Sequence, residues 1–185
     1  MVVSVAYAYS EQFADFLIMN LQELNYLAQD QLKEELMKCC GSSAWVDKML
    51  ASAPFKSSAD LFQKAETAWS GTTELDWFEA FSHHPKIGDL KSLEQKFAST
   101  SKLAGNEQAA VNSASQKMLE QLAGGNEAYE QKFGFIFIVC ATGKSAEEML
   151  ELLNARIHNT RETELQIAAI EQGKITRLRL EKLLS

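Results

Sequence analysis

The sequence predicts an all-α fold: a single domain over residues 1–185, built of about eight to ten helices with one buried, partly extended segment. Three observations carry that expectation. Apolar residues recur at helical spacing through almost the whole chain, with no internal repeat and no low-complexity linker. Helix breakers are scarce, since 2 prolines stand where an average usage of about 5% gives about 9. One stretch, Phe133 to Ala141, is continuously apolar and rich in β-formers, but no second convincing strand exists to pair with it.

The elements follow in order. Asp30 to Cys40 reads as a short amphipathic helix: Asp30 caps it, Leu32, Leu36 and Cys40 form an i, i+4, i+8 stripe, and Gly41 stops it. Ser43 introduces Trp45, Val46, Met49 and Leu50 before Pro54 ends the run. Ser57 or Ser58 caps a helix carrying Leu61, Phe62, Ala65, Ala68 and Trp69 up to Gly71, and Thr73 opens another through Leu75, Trp77, Phe78 and Phe81. Asn106 to Ala123 is a longer helix that Gly124-Gly125 is expected to end, with Asn126 starting a new one through Tyr129. Ser145-Ala146-Glu147-Glu148 is a capping box ahead of Met149, Leu152, Leu153 and Ile157. From Thr160 the chain is helical to its end. A kink is expected at Gly173, because glycine inside a helix costs about 1 kcal/mol against alanine.

Charge and composition narrow the function. A net charge of -7 leaves no electrostatic footprint for nucleic acid or an anionic membrane surface. Cys39, Cys40 and Cys140 form an odd set with no zinc spacing, and they read as reduced, buried thiols. Met1 to Tyr9 lacks the basic start of a signal peptide, no apolar run approaches the roughly 18 residues of a membrane span, and the last three residues are not a peroxisomal address. A cytoplasmic protein is expected.

Four places carry candidate chemistry. In Ser82-His83-His84-Pro85-Lys86-Ile87-Gly88-Asp89 the proline biases His84 out of the α region and holds its imidazole at a helix exit. That suits a general acid or base, and it equally describes a solvated turn residue. Adjacent His83 and His84 do not converge on one ion and no His-x-x-x-His spacing lies near them, so no metal site is expected. His158 reads as a favourable charge at a helix C-terminus. Glu107 and Gln108 sit in the first turn of a helix, either as a helix-start charge or as a carboxylate and amide pair facing a polar ligand. Arg179, flanked by Leu178 and Leu180, is the inward one of Arg177 and Arg179, and it requires an anionic partner that is either structural or a substrate carboxylate. The run from Phe133 to Ala141 is either the central core segment or a stretch that presents peptide groups to a ligand.

Together, His84-Pro85-Lys86-Ile87-Gly88, Glu107-Gln108, Phe133-Gly134-Phe135-Ile136-Phe137-Ile138 and Lys174-Ile175-Thr176-Arg177-Leu178-Arg179-Leu180 resemble one family, in its order, from about Ser10 to the C-terminus. It is the 2-oxo-4-hydroxy-4-carboxy-5-ureidoimidazoline (OHCU) decarboxylases, which complete urate breakdown to (S)-allantoin. The resemblance implies an all-helical, cofactor-free, typically homodimeric enzyme acting on a small-molecule ureide. It makes His84 the catalytic histidine, Glu107 its acidic partner and Arg179 the arginine of the last helix. Pro85, Gln108 and the stretch Phe137, Ile138, Val139, Cys140 and Ala141 line the substrate, the stretch mainly through its peptide groups. Where the family often has a serine three residues before the glutamate, this sequence has Ala104, so the backbone of Gly105 or Asn106 takes over that contact.

The chemistry this implies needs positioning, electrostatics and one stereospecific proton, since the substrate's own imidazoline system absorbs the electron pair left by carbon dioxide. Two alternatives stand beside it: an inactive helical scaffold or regulatory homologue, and an enzyme of the same fold acting on a related ureide.

Overall fold

The structure, a computed structural model, describes residues 18–84 and 108–185, with side chains from residue 116 onward in the second stretch. Eight helices make up the described residues: α1 (Leu21–Tyr26), α2 (Gln29–Cys39), α3 (Ser43–Ser52), α4 (Ser58–Ser70), α5 (Glu74–Ser82), α6 (Gln108–Phe133), α7 (Ala146–Arg156) and α8 (Arg161–Leu183). No strand occurs among them, so the chain is all-α as its periodicity predicts. None of these helices is long and apolar enough to cross a membrane.

Side chains written into the sequence start most of them. Ser42, Ser57 and Ser145 accept from the backbone N–H three residues on, and Glu148 Oε2 closes the box by accepting from Ser145 N at 2.7 Å. Asp76 does the same for Thr73 at the start of α5, at 2.7 Å. The expected Asp30 cap is replaced by another device: α2 begins at Gln29, and Gln31 Oε1 reaches back to the N–H of Ala28 at 3.2 Å. Asp30 stays in the first turn, where the helix dipole favours its charge.

One glycine expectation is corrected. α6 does not stop at Gly124-Gly125, nor does a new helix begin at Asn126; one helix runs through all three residues to Phe133. Gly125 serves packing instead, since a Cβ there would lie 2.8 Å from Leu153 Cδ2 on α7. In α8, which spans Gly173, the bare Cα of that residue makes room for Trp69: a Cβ would meet the indole Cδ1 at 3.4 Å. The indole Nε1 then donates to Ala169 O at 2.9 Å.

α6 ends where Gly134 enters the left-handed region at φ 80°, its N–H returning to Glu130 O at 2.8 Å. The apolar run that follows, 135–141, is irregular rather than helical, as expected. Phe135, Ile138 and Ala141 are buried, while Ile136, Phe137, Val139 and Cys140 are half-buried.

The described residues divide into two units. The first takes in 108–137 and 141–165. There Tyr129 stacks near Phe133, Phe135 and Phe137, with ring centroids 4.6, 5.9 and 5.1 Å away. Glu164 is fully buried and satisfied from three sides: Arg156 Nε donates at 2.7 Å, Asn159 Nδ2 at 2.8 Å, and the Tyr129 hydroxyl also donates.

The second unit takes in 18–84, 138–140 and 166–185. Its core gathers Leu24, Leu36, Trp45, Met49 and Leu61 with Leu180 and Leu183 of the last helix, all fully buried. Trp45 keeps its polar edge satisfied there by donating Nε1–H to Ala65 O at 3.0 Å.

Candidate active site

His84 lies one residue past the C-cap of α5, in the second unit. The helix end is built to hold it. The N–H groups of His83 and His84 donate to Ala80 O and Phe81 O at 3.3 and 3.1 Å, and Phe81 is anchored in the interior at 2% exposure. One turn earlier, Glu79 caps the neighbouring helix α3, accepting from Ser43 N at 2.9 Å and from Ser43 Oγ at 2.5 Å. Gly41 packs against the side chain of His83 so closely that a Cβ would sit 2.5 Å from His83 Cβ.

The imidazole of His84 then meets α8. Its Nε2 is 2.6 Å from Oε1 of Gln172, a fully buried residue. Burial, the largest influence, and the Arg179 guanidinium lower the His84 pKa, the Gln172 contact opposes them, and the net value is about 4. At neutral pH the ring is therefore uncharged and able to accept a proton.

Arg179 is the inward arginine, as its flanking leucines predict. Its Nη1 reaches the carbonyl oxygens of Lys38 and Cys39 at 3.4 and 3.3 Å, at the C-terminal end of α2, so peptide oxygens supply partners that the sequence reading sought in an anion. Arg177 faces outward, pairing with Glu181 at 2.6 Å and lying 3.7 Å over the ring of Phe62.

Of the predicted lining, Ile138, Val139 and Cys140 belong to the same unit as His84 and Arg179. The N–H of Cys140 donates to Glu171 Oε2 at 2.7 Å, and Lys174 pairs with Oε1 of the same carboxylate at 2.5 Å. Phe137 and Ala141 belong to the first unit, where the Arg156 guanidinium lies 4.7 Å over the Phe137 ring. Pro85, Ala104, Gly105, Asn106 and Glu107 lie outside the described residues, and Gln108 is described only as the first residue of α6.

All three cysteines are free. Cys39 and Cys40 are buried as expected, and burial raises both thiols, Cys40 to about 11. His158 is exposed just past the end of α7. Among the described residues no three His, Cys, Asp or Glu side chains gather to hold a metal ion.

Three residues of this site escaped the sequence reading: Gln172, Glu171 and Gly41. A signal existed for the first. Gln172, Thr176 and Arg179 stand at i, i+4 and i+7, a polar line along a face otherwise made of Ala168, Ala169, Leu180 and Leu183.

Comparison with known proteins supplies an independent finding. The family model described as OHCU decarboxylase matches residues 25–181. The uric acid degradation bifunctional protein TTL of Arabidopsis thaliana is 39% identical over 161 residues, covering 86% of this chain and 49% of the relative. This chain therefore spans about half the length of that curated relative. The 2-oxo-4-hydroxy-4-carboxy-5-ureidoimidazoline decarboxylase of Haloferax volcanii is 25% identical, with 88% of this chain and 94% of the relative covered. A crystal structure of OHCU decarboxylase in the presence of (S)-allantoin superposes with a TM-score of 0.64 at 40% identity, covering 82% of this chain and 97% of the other.

Proposed function

This chain belongs to the OHCU decarboxylase family, and we propose that it converts 2-oxo-4-hydroxy-4-carboxy-5-ureidoimidazoline to (S)-allantoin and carbon dioxide without a cofactor. The observation that carries the reading is the neutral imidazole of His84, held on Gln172 beside the charge of Arg179. A base that stays unprotonated next to a fixed cation suits a substrate with an acidic hydroxyl and a carboxylate.

In this mechanism His84 takes the proton of the substrate hydroxyl, and Glu107 holds that hydroxyl and polarises the imidazole. The bond to the carboxylate carbon breaks, carbon dioxide leaves, and the electron pair passes into the adjacent imine of the ring, whose nitrogen takes a proton from solvent. One proton then returns to one face of the carbon framework, which sets the (S) configuration. Arg179 stabilises an anionic or carbonyl oxygen of the substrate. Peptide groups of Phe137 to Ala141, with Pro85, Gln108 and the backbone around Ala104, Gly105 and Asn106, fit the ureido and ring amides. The protein acts in the cytoplasm as a homodimer.

The test generates the unstable substrate in place from urate with the two upstream enzymes and follows the circular dichroism of (S)-allantoin. Acceleration over spontaneous decay supports the reading; its absence with folded protein defeats it in favour of an inactive homologue. His84→Ala is expected to stay folded and lose about 10²–10⁴ in rate, the usual worth of general acid–base catalysis. Light scattering should return twice the mass of one chain if the homodimer forms.

A further inference from the structure

Gln172 uses both ends of its side-chain amide although it has no access to solvent. Oε1 lies 2.6 Å from His84 Nε2, and Nε2 donates to Thr176 Oγ1 at 3.2 Å. Thr176 is itself buried at 4% exposure. The Thr176 oxygen accepts from the Gln172 amino group, and the amide carbonyl is left facing the imidazole.

A carbonyl oxygen cannot donate, so the nitrogen 2.6 Å from it must carry the hydrogen. A neutral imidazole has one N–H, and placing it on Nε2 leaves the lone pair on Nδ1. We infer that Gln172 is a positioning residue for the decarboxylation: it selects the Nε2–H tautomer of His84 and makes Nδ1 the nitrogen that takes and returns the proton. This rests on the reaction proposed above. Thr176 serves as the anchor that stops the Gln172 amide from turning over, since a flipped amide would set its own N–H groups against Nε2 and force the opposite tautomer.

The decisive measurement is two-bond proton–nitrogen correlation on the ¹⁵N-labelled full chain at neutral pH. The chain has 3 histidines, and His84→Gln identifies the signal of His84 by its loss. The expected pattern has Nε2 at the protonated, pyrrole-type shift and Nδ1 at the pyridine-type shift. The reverse pattern overturns the inference, and it does so without any variant of Gln172. Gln172→Leu should mix the two tautomers and lower kcat by about tenfold or more while KM changes by less than about threefold. Gln172→Glu retains an acceptor and should restore the Nε2–H pattern that Gln172→Leu loses. An unchanged tautomer and unchanged kcat in folded Gln172→Leu also overturn the inference. Failure of the decarboxylase reading looks different: the wild-type protein would show the expected tautomer and no acceleration of carbon dioxide loss.

Discussion

A methyl group on Gly41 would put its carbon 2.5 Å from Cβ of His83 and 2.6 Å from Cγ. No side-chain rotation of His83 moves its Cβ, so a substitution at Gly41 must force apart the turn between α2 and α3 and the end of α5, which carries His84. Gly41→Ala is expected to cost about 1–3 kcal/mol of stability, the range for overpacking a tight contact. It should also lower the decarboxylation rate per folded molecule, because His84 leaves its place on Gln172. Urea denaturation and the allantoin assay, run on the same preparation, check both.

The two glycines inside α6 should behave oppositely. Gly124 has nothing within 4 Å of where a Cβ would sit, so Gly124→Ala gains helix propensity alone and should stabilise by about 0.5–1 kcal/mol. Gly125→Ala gains the same propensity but must push aside Leu153 Cδ2 at 2.8 Å. The expected order of Tm is Gly124→Ala above wild type above Gly125→Ala.

Removing the carboxylate of Glu164 leaves the Arg156 charge buried at 8% exposure without the oxygen that sits 2.5 Å from its Nη2. Glu164→Leu is expected to destabilise by about 3–5 kcal/mol, as for other broken buried ion pairs. Tyr129→Phe removes one donor and keeps the ring stacking, so its expected cost is about 1–2 kcal/mol. Thermal unfolding of the two variants should show that ratio.

The lowered value of His84 gives a pH signature. Between about 4 and its ordinary 6.5, the unfolded chain binds a proton that the folded chain refuses. His84 therefore contributes stability that is present above 6.5 and is lost as pH falls towards 4. The activity should hold from neutrality down to about pH 5 and then fall as the imidazole protonates. The charged or titratable groups acting on the ring are Arg179 and His83, with burial the larger influence. In Arg179→Met the titration should move upward yet stay below 6.5, since burial remains. Following the His84 imidazole signals against pH tests each point.

Much of the fold was readable because caps and apolar spacing act within a few residues. Ser57, Thr73 and Ser145 start their helices as their positions predict. Glycine misled because its backbone freedom and its small volume look the same in a sequence. Gly125 and Gly173 answer to Leu153 and Trp69, side chains far away along the chain. The site divides in the same way. His84 and the inward Arg179 were visible from a proline and two leucines, whereas Gln172 acquires meaning only when α8 meets the end of α5, a pairing 88 residues apart.

Glu171 and Gln172 are neighbours on α8. One accepts the N–H of Cys140 at 2.7 Å, and the other meets the imidazole of His84 at 2.6 Å. Consecutive residues on a helix point about 100° apart. A single peptide unit of α8 thus works as a protractor, setting the angle between the irregular segment and the histidine ring. Inserting one residue ahead of Glu171 would turn both contacts together and preserve that angle, whereas inserting one between the two would open it by a further 100° or so. Across related sequences, adjacency of this acid and this amide should outlast the lengths of the loops that lead to them.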